Sequence, residues 1–407
     1  MSAIDATQPA EASIEDKFQS VDVAAVAIAH GANDTYFAIV PAVLPLLIEK
    51  FSLSIAQAGL FTLFLQVPSI FQPYIGHQAD RRNLRWLFIL APTLSAILIT
   101  FTGLAPAYGW VALLMLAAGF STAGFHAIAP VMAASMSGKK IGRGMGIFMV
   151  GGELGFGLGP LLAVAVTGAL GLAGLPWLII LGMLCSLFLY LRFRNLNTVH
   201  PQHSRSSLSI GAAMLHMRSF MLPIVGYILV TSFLAANLNN FLPTFMKNEG
   251  ASLLFAGSAL SIVEIAGTLG VLASSWLSDR IGQRTIIIVA TLVMPLFALL
   301  FLSASPYWQA PMLAGAGLLA FSANPAFLAL LQRNFPEIRS LANGVYMAVG
   351  FVVRSLVVLL VGVLADHFGM RPVFTASAWA AFLALPLVLL MPGEKGKENQ
   401  LERPLNL

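Results

Sequence analysis

The stretch Gly146-Ile-Phe-Met-Val-Gly-Gly152 returns 198 residues later as Gly344-Val-Tyr-Met-Ala-Val-Gly350. The same offset lays Leu44-Pro45 on Leu242-Pro243, Ser54 on Ser252, Ala58-Gly59 on Ala256-Gly257 and Trp110 on Trp308. Matches this scattered, all at one offset, mark a duplication. The chain is therefore two halves of one design.

Both copies lie in long apolar segments, and the composition says what surrounds them. Of 407 residues, 58% are hydrophobic and 10% charged, with a mean hydropathy of +0.85. A soluble domain of this size needs far more charge to cover its surface, so the solvent of the exterior is lipid. Apolar segments of about 20 residues, enough to cross roughly 30 Å of hydrocarbon as a helix, fall near 21–48, 55–76, 86–103, 110–133, 144–168, 173–191, 220–245, 252–276, 285–303, 308–331, 340–365 and 372–391. These twelve define an all-α membrane protein. An even number of helices per half returns the chain to its starting side, so the two six-helix bundles form a parallel repeat. The expected divisions are a tail at 1–20, a first bundle at 21–191, a Ser- and His-containing linker at 192–219, a second bundle at 220–391 and a tail at 392–407.

The cations give the orientation. Loops after even-numbered helices carry Arg81, Arg82 and Arg85; Lys139, Lys140 and Arg143; Arg192, Arg194, Arg205 and Arg218; Arg280 and Arg284; and Arg333 and Arg339. That is fourteen of the 22 basic residues, against Lys50, Lys247 and Arg371 on the other side. The positive-inside rule then puts both termini in the cytoplasm. The net charge of +5 is accounted for by these topology signals, and no nucleic-acid partner is expected. Residues 1–20 are acidic and polar rather than basic-then-apolar, so the first helix serves as its own insertion signal. Cys185 is the only cysteine, which rules out an intrachain disulfide or a thiolate metal cluster. There is no G-x-S-x-G elbow, no H-E-x-x-H pair and no cysteine pair, so no catalytic residue, metal or cofactor is expected and the chain does not read as an enzyme.

An ionisable group near mid-membrane is costly and is a functional candidate for that reason. His30, Asp34, His126, Glu153, Glu264 and Arg354 form the set. His30 and Asp34, at i and i+4, share one face of the first helix with Asn33 beside it. A carboxylate paired with an imidazole in a low-dielectric cavity is a proton-exchange site, and a structural acid with a satisfied interior histidine is the alternative. Under the repeat, His126 pairs with Asn324 and Glu264 with Gln66, so polar positions survive in both halves. Glu153 and Glu264 read as further protonation sites or as gate hydrogen bonds. Arg354 cannot shed its proton and must face acids, water or an anion, either as partner of an acid or as anchor for a phosphonate or carboxylate. Asn237, Asn239 and Asn240 give the seventh helix an amide-rich segment, facing a cavity or bonding between helices.

Two loops then narrow the family. Gly76-His-Gln-Ala-Asp80-Arg81-Arg82-Asn83-Leu84-Arg85 and Ser275-Trp-Leu-Ser-Asp279-Arg280-Ile281-Gly282-Gln283-Arg284 resemble the G-x-x-x-D-R-x-G-x-R motif of the major facilitator superfamily, one copy per half. Asn83 stands where the motif has its second glycine, and Ser275 where it has its first. The resemblance implies a conformational switch in which Asp80 meets the N-terminal end of the eleventh helix in one state and releases it in the other. Fixing topology alone is the plainer reading of the same charges. Gly155-x-x-x-Gly159-Pro160 in the fifth helix resembles the exporter-associated motif of that superfamily, expected at the contact between halves, although G-x-x-x-G is also common as simple helix packing.

His30-Gly31-Ala32-Asn33-Asp34, Phe125-His126 and Gly151-Gly152-Glu153-Leu154-Gly155, running on to Gly159-Pro160, resemble the fosmidomycin-resistance branch of the superfamily. That branch often continues F-H with Pro-Glu, whereas here Ala127 and Ile128 follow, and one carboxylate is absent. The resemblance implies a central cavity lined by His126, Asn33, Asn237, Asn240, Asn324 and Arg354, with proton coupling at Asp34, His30, Glu153 and Glu264. It implies a monomeric drug/proton antiporter of the bacterial inner membrane, exporting fosmidomycin-like or other small toxic compounds. An uptake symporter or metabolite facilitator on the same fold is the alternative.

Overall fold

The computed structural model describes residues 18–79, 82–138, 140–195, 210–335 and 339–391, and among them there are helices and turns and no strand. Twelve helical passes follow one another: α1 Ser20–Phe51, α2 at 55–79, α3 Arg85–Leu104, α4 Tyr108–Ser135, α5 Ile141–Leu170, α6 Leu172–Phe193, α7 at 210–248, α8 Leu253–Ile281, α9 Gln283–Ser303, α10 at 306–334, α11 Arg339–Phe368 and α12 Met370–Leu390. Large apolar side chains such as Trp177, Leu191 and Leu222 point outward. In lipid this costs nothing, because the surrounding hydrocarbon is as apolar as the side chains themselves.

Eleven passes are long and apolar enough to span a membrane, and α2 contributes the shorter apolar run Ile55–Phe71. Its break has a local cause. Pro68 lacks an N–H, and the chain tightens into a 3-10 turn over Val67–Phe71 before resuming at Gln72–Ala79. The amide-rich segment of α7 likewise forms a π turn, Asn237–Phe241, just ahead of Pro243. The seventh pass begins at Ile210, ten residues before the expected start of the second bundle. Residues 210–219 therefore continue a helix whose Met217 and Phe220 are buried, and residues 196–209 lie outside the described chain.

The two motif loops turn in different ways. Gly282 joins α8 to α9 at φ 88°, a left-handed conformation that favours glycine. Asn83 in the first copy instead accepts a hydrogen bond on Oδ1 from the Arg85 N–H at 3.3 Å. This side-chain turn closes the loop without a positive φ. Asp80 and Arg81 lie outside the described residues, as does the Asp279 side chain.

The halves meet along three seams. Helix α5 packs on α8, where Gly157 faces Ile265 and Gly257 faces Val164. Helix α1 meets the outer part of α7, and α2 meets α11, where Gly59 lies against Phe241 and Val358 and Gly362 against Ala56. Two polar ties reinforce the last seam. Ser355 Oγ donates to Gln66 Oε1 at 2.7 Å, and the Asp366 carboxylate accepts the backbone N–H groups of Ile55 (2.6 Å) and Ala56 (2.9 Å). These ties lie from mid-helix to the end of the bundle opposite the basic loops. Among the described residues α4 forms no comparable seam with α10 or α11 at the basic-loop end, so the described contacts between the halves thin out toward it.

On the closed end, Arg371 also grips Glu249, with Nη2 to Oε2 at 2.6 Å and Nε to Oε1 at 3.2 Å. These donated bonds hold the Glu249 carboxyl below its usual range. A lowered carboxylate pKa stabilises the fold above the ordinary Glu range, and that contribution is lost as pH falls through the native value. Because both side chains are well exposed, Glu249→Gln should cost below about 1 kcal/mol at pH 7 in a thermal-unfolding titration. The difference from wild type should vanish in acid.

Candidate functional site

The first helix carries the site because of how closely it lies on α5. A Cβ placed on Gly151 would strike the Ala27 carbonyl, one on Gly155 the Gly31 carbonyl, and one on Gly159 the Thr35 carbonyl. The two backbones touch along three turns. Gly155 and Gly159 thus face α1 inside their own half, which corrects the expectation that they form the contact between halves. On α5 that contact is made by Gly157 and Val164.

This approach seats the His30 ring. It stacks on Phe148 of α5 with centroids 4.0 Å apart and lies near Phe125 of α4 at 5.9 Å. A side chain at Gly152 would occupy the space of the ring. His30 Nδ1 lies 2.8 Å from the Phe148 carbonyl oxygen, and His30 Nε2 lies 3.1 Å from Asp34 Oδ2. On the other carboxylate oxygen, His126 Nε2 stands at 3.3 Å and Asn33 Nδ2 donates at 3.0 Å. Asn33 is held in turn, donating to Thr122 Oγ1 at 3.1 Å and accepting from Ser95 Oγ at 3.0 Å. Asp34 is only 4% exposed, while the His126 side chain keeps 27% of its surface open. His126 is therefore the least buried member of the cluster.

The proton inventory follows from these distances. A carbonyl oxygen only accepts, so His30 Nδ1 carries a proton. Nε2 of the same ring then faces a carboxylate oxygen at 3.1 Å, a separation that requires a second proton, shared between imidazole and carboxyl. His126 needs only its neutral tautomer protonated on Nε2. The His30–Asp34 contact is thus one that an added proton, on imidazole or carboxyl, would satisfy. The donor atoms of His30, Asp34 and His126 lie within 4.8 Å of one another, close enough to chelate a divalent ion.

Asn33→Leu should cost about 1–3 kcal/mol, because it strands the buried hydroxyls of Ser95 and Thr122. Thermal unfolding in detergent checks this, and Asn33→Asp should cost at least as much, because it sets a second carboxylate oxygen where the amide donates to Asp34 Oδ1.

The other expected residues divide. Glu153 is partly buried on α5, within electrostatic reach of Asp34 and His30. Glu264, 6% exposed on α8, lies within reach of Glu153. The acids therefore run as a chain from α1 through α5 to α8. Asn237 is 1% exposed and donates to the Phe233 carbonyl at 2.9 Å and Ser377 Oγ at 3.1 Å. It ties α7 to α12, which is the helix-to-helix bonding expected as the alternative to a cavity position. Asn240 is partly buried and Asn324 exposed. Arg354, on α11, is partly buried and apart from the acids, its guanidinium 5.7 Å from the Phe351 ring.

Of the switch loops, Gly76 has open space around it and Arg85 lies 5.5 Å from the Trp86 ring. Arg280 stacks on Trp276 at 3.8 Å, and Arg284 Nη2 donates to the Leu389 carbonyl at 2.5 Å. Both are engaged inside the second half. Sequence reasoning missed Thr122, Ser95 and Asp366. Thr122 had a signal, since it stands four residues before His126 on the same helix face.

The sequence matches the model of the Major Facilitator Superfamily over residues 26–358 and 224–406, and the chain belongs to that superfamily. It is thus a multi-pass membrane transporter of small molecules. Among curated relatives, it is 25% identical over 379 residues to the fosmidomycin resistance protein of Escherichia coli (strain K12), covering 92% of this chain and 93% of that one. It is also 25% identical over 381 residues to the MFS-type transporter YfnC of Bacillus subtilis (strain 168), with 92% and 93% covered. The fold matches a bacterial homologue of the human lysosomal transporter Spinster in an inward-facing, occupied conformation, with a TM-score of 0.78 at 17% identity and 92% and 97% of the two chains covered. The nucleoside transporter NupG (D323A mutant) gives a TM-score of 0.73 at 16% identity, with 91% and 100% covered.

Proposed function

We propose that this protein is a proton-coupled antiporter of a bacterial inner membrane, exporting fosmidomycin-like or other small toxic compounds by rocking its two six-helix halves. The observation that carries this reading is the buried Asp34 carboxylate held between two imidazoles, His30 at 3.1 Å and the less buried His126 at 3.3 Å. Similarity to the fosmidomycin resistance protein supports the substrate class and the outward direction. The excess of cations at one end puts the termini and the open mouth in the cytoplasm, so this conformation is inward-facing. It is the state in which an exporter loads cargo. Cargo binding and protonation compete for the cluster, and the proton gradient returns the empty carrier. The protein works as a monomer, its substrate path lying within one chain. Glu153 and Glu264 act as second proton acceptors.

Direction is tested in inside-out vesicles energised with an acidic lumen. Uptake of fosmidomycin into them indicates export. Its extrusion would favour the uptake symporter.

Asp366 serves as the outer latch. An acid at a helix C-terminus is electrostatically unfavourable in its own helix, but here it caps the N-terminus of α2 from the other half. Opening outward breaks both bonds. In a Cys185→Ser background, Asp366→Ala should raise labelling of Val358→Cys by a membrane-impermeant maleimide several-fold. Unchanged labelling would remove Asp366 from the gate.

A further inference from the structure

Arg354 is a membrane-embedded cation that, among the described residues, no acid meets. A guanidinium cannot shed its proton, and a cation inside the hydrocarbon layer without an anion costs several kcal/mol. Every described acid is committed elsewhere or faces solvent. Asp34 is held by two imidazoles, Asp22 by Arg192, Glu249 by Arg371 and Asp366 by the N-terminus of α2. Glu153 and Glu264 belong to the α5–α8 chain of acids, and Glu49 is exposed. Asp80 and Asp279 belong to the loops of the basic end. Arg354 stands fifteen residues into α11, about 22 Å from that end at 1.5 Å per residue.

The helix aims it at the cleft. At 100° per residue, Ser355, Val358 and Gly362 form the face that meets α2, while Tyr346, Val353 and Val357 form the face buried in the second half. Arg354 falls between the two faces. One turn further on, Val358 is packed on Gly59 and the halves are closed. The guanidinium is therefore at the roof of the space that opens toward the basic loops.

The repeat built the room for it. A Cβ on Gly350 would sit 2.8 Å from an Arg354 guanidinium nitrogen, and Tyr346 lies within electrostatic reach. Gly350 and Tyr346 are the duplication partners of Gly152 and Phe148, the two residues that seat His30 on α5. Each half thus uses the same glycine and the same aromatic position to seat one basic side chain at mid-membrane. The first half placed its histidine on a carboxylate. Among the described residues, no carboxylate stands beside the arginine of the second.

We propose that Arg354 is the anchor for an anionic head group of the cargo, a phosphonate or carboxylate, bound across the cleft from the His30–Asp34–His126 cluster. This deepens and rests on the export reading above. A planar guanidinium grips two oxygens of such a group at once, which an ammonium does not. The bound anion supplies the missing counter-charge when the cleft closes around it.

The test is binding to the purified full chain, read by tryptophan fluorescence, with fosmidomycin, methylphosphonate and the uncharged dialkyl ester of fosmidomycin as probes. Wild type should bind the two anions and not the ester. Arg354→Gln should weaken fosmidomycin roughly tenfold or more, the loss of a charge-assisted pair, and Arg354→Lys should recover part of it. Unliganded melting temperatures of both variants establish that they fold. Equal binding by Arg354→Gln, equal binding of the ester, or no binding of either anion by wild type would each overturn the proposal. Proton release measured alongside separates the two ideas. Anion binding with no proton movement defeats antiport alone, and drug-driven proton movement unchanged in Arg354→Gln defeats the anchor alone.

Discussion

Asp34→Asn is expected to abolish substrate-driven proton movement while leaving the fold and the binding of cargo in place. The assay is proton release from acid-loaded proteoliposomes, followed by an interior pH dye, on adding fosmidomycin. Asparagine has the shape of aspartate, and its amide can still accept from His126 Nε2 and donate toward His30 Nε2, so the network of α1, α4 and α5 keeps its geometry. What disappears is the carboxylate that stands 3.1 Å from His30 Nε2. Release should fall to the level of empty liposomes, and exchange of labelled for unlabelled cargo, which needs no net proton, should persist. Loss of exchange as well would point to misfolding. Release at the wild-type rate would move the proton site to Glu153 or Glu264.

The second large effect is expected at Gly155. Its Cβ would fall on the Gly31 carbonyl, a backbone atom that cannot rotate away, so Gly155→Val must push α1 off α5. That separation breaks the bond from His30 Nδ1 to the Phe148 carbonyl and the ring stack together. Overpacking alone typically costs about 1–3 kcal/mol, and the lost network adds to it. Little folded monomer should survive gel filtration in detergent. Gly168→Ala on the same helix is the control, since nothing lies within 4 Å of its added methyl. Removing a helix glycine there should be neutral or stabilising by up to about 1 kcal/mol. Equal tolerance at both positions would mean that α1 and α5 do not depend on close approach.

Much of this was legible in sequence, for identifiable reasons. Hydrophobic length and the 198-residue offset depend on composition and order alone, and they yielded twelve passes in two halves. The His30–Asp34 pair was legible because i and i+4 on a helix must meet. Partners from other helices were not. His126 joins that carboxylate from α4, and nothing in linear spacing says which face of α4 turns toward α1. The facing of Gly155 was misread for the same cause, because a small-residue motif declares close approach without naming the neighbour. Asn237 lies in a π turn, and the extra residue in such a turn rotates every side chain away from its expected direction. Asp366 was overlooked although its position, an acid at the wrong pole of a helix, was itself a signal.

The backbone contact between α1 and α5 carries a consequence for exchange of parts between relatives. Because carbonyls of one helix fill the space left by missing side chains of the other at three successive turns, neither helix can be transplanted alone. A chimera that takes α1 from a relative lacking these glycines on its own α5 inherits a rod without its groove. Grafting the two together moves His30, its stacking ring Phe148 and Asp34 as a single cassette, while His126 must be supplied by the α4 of the recipient.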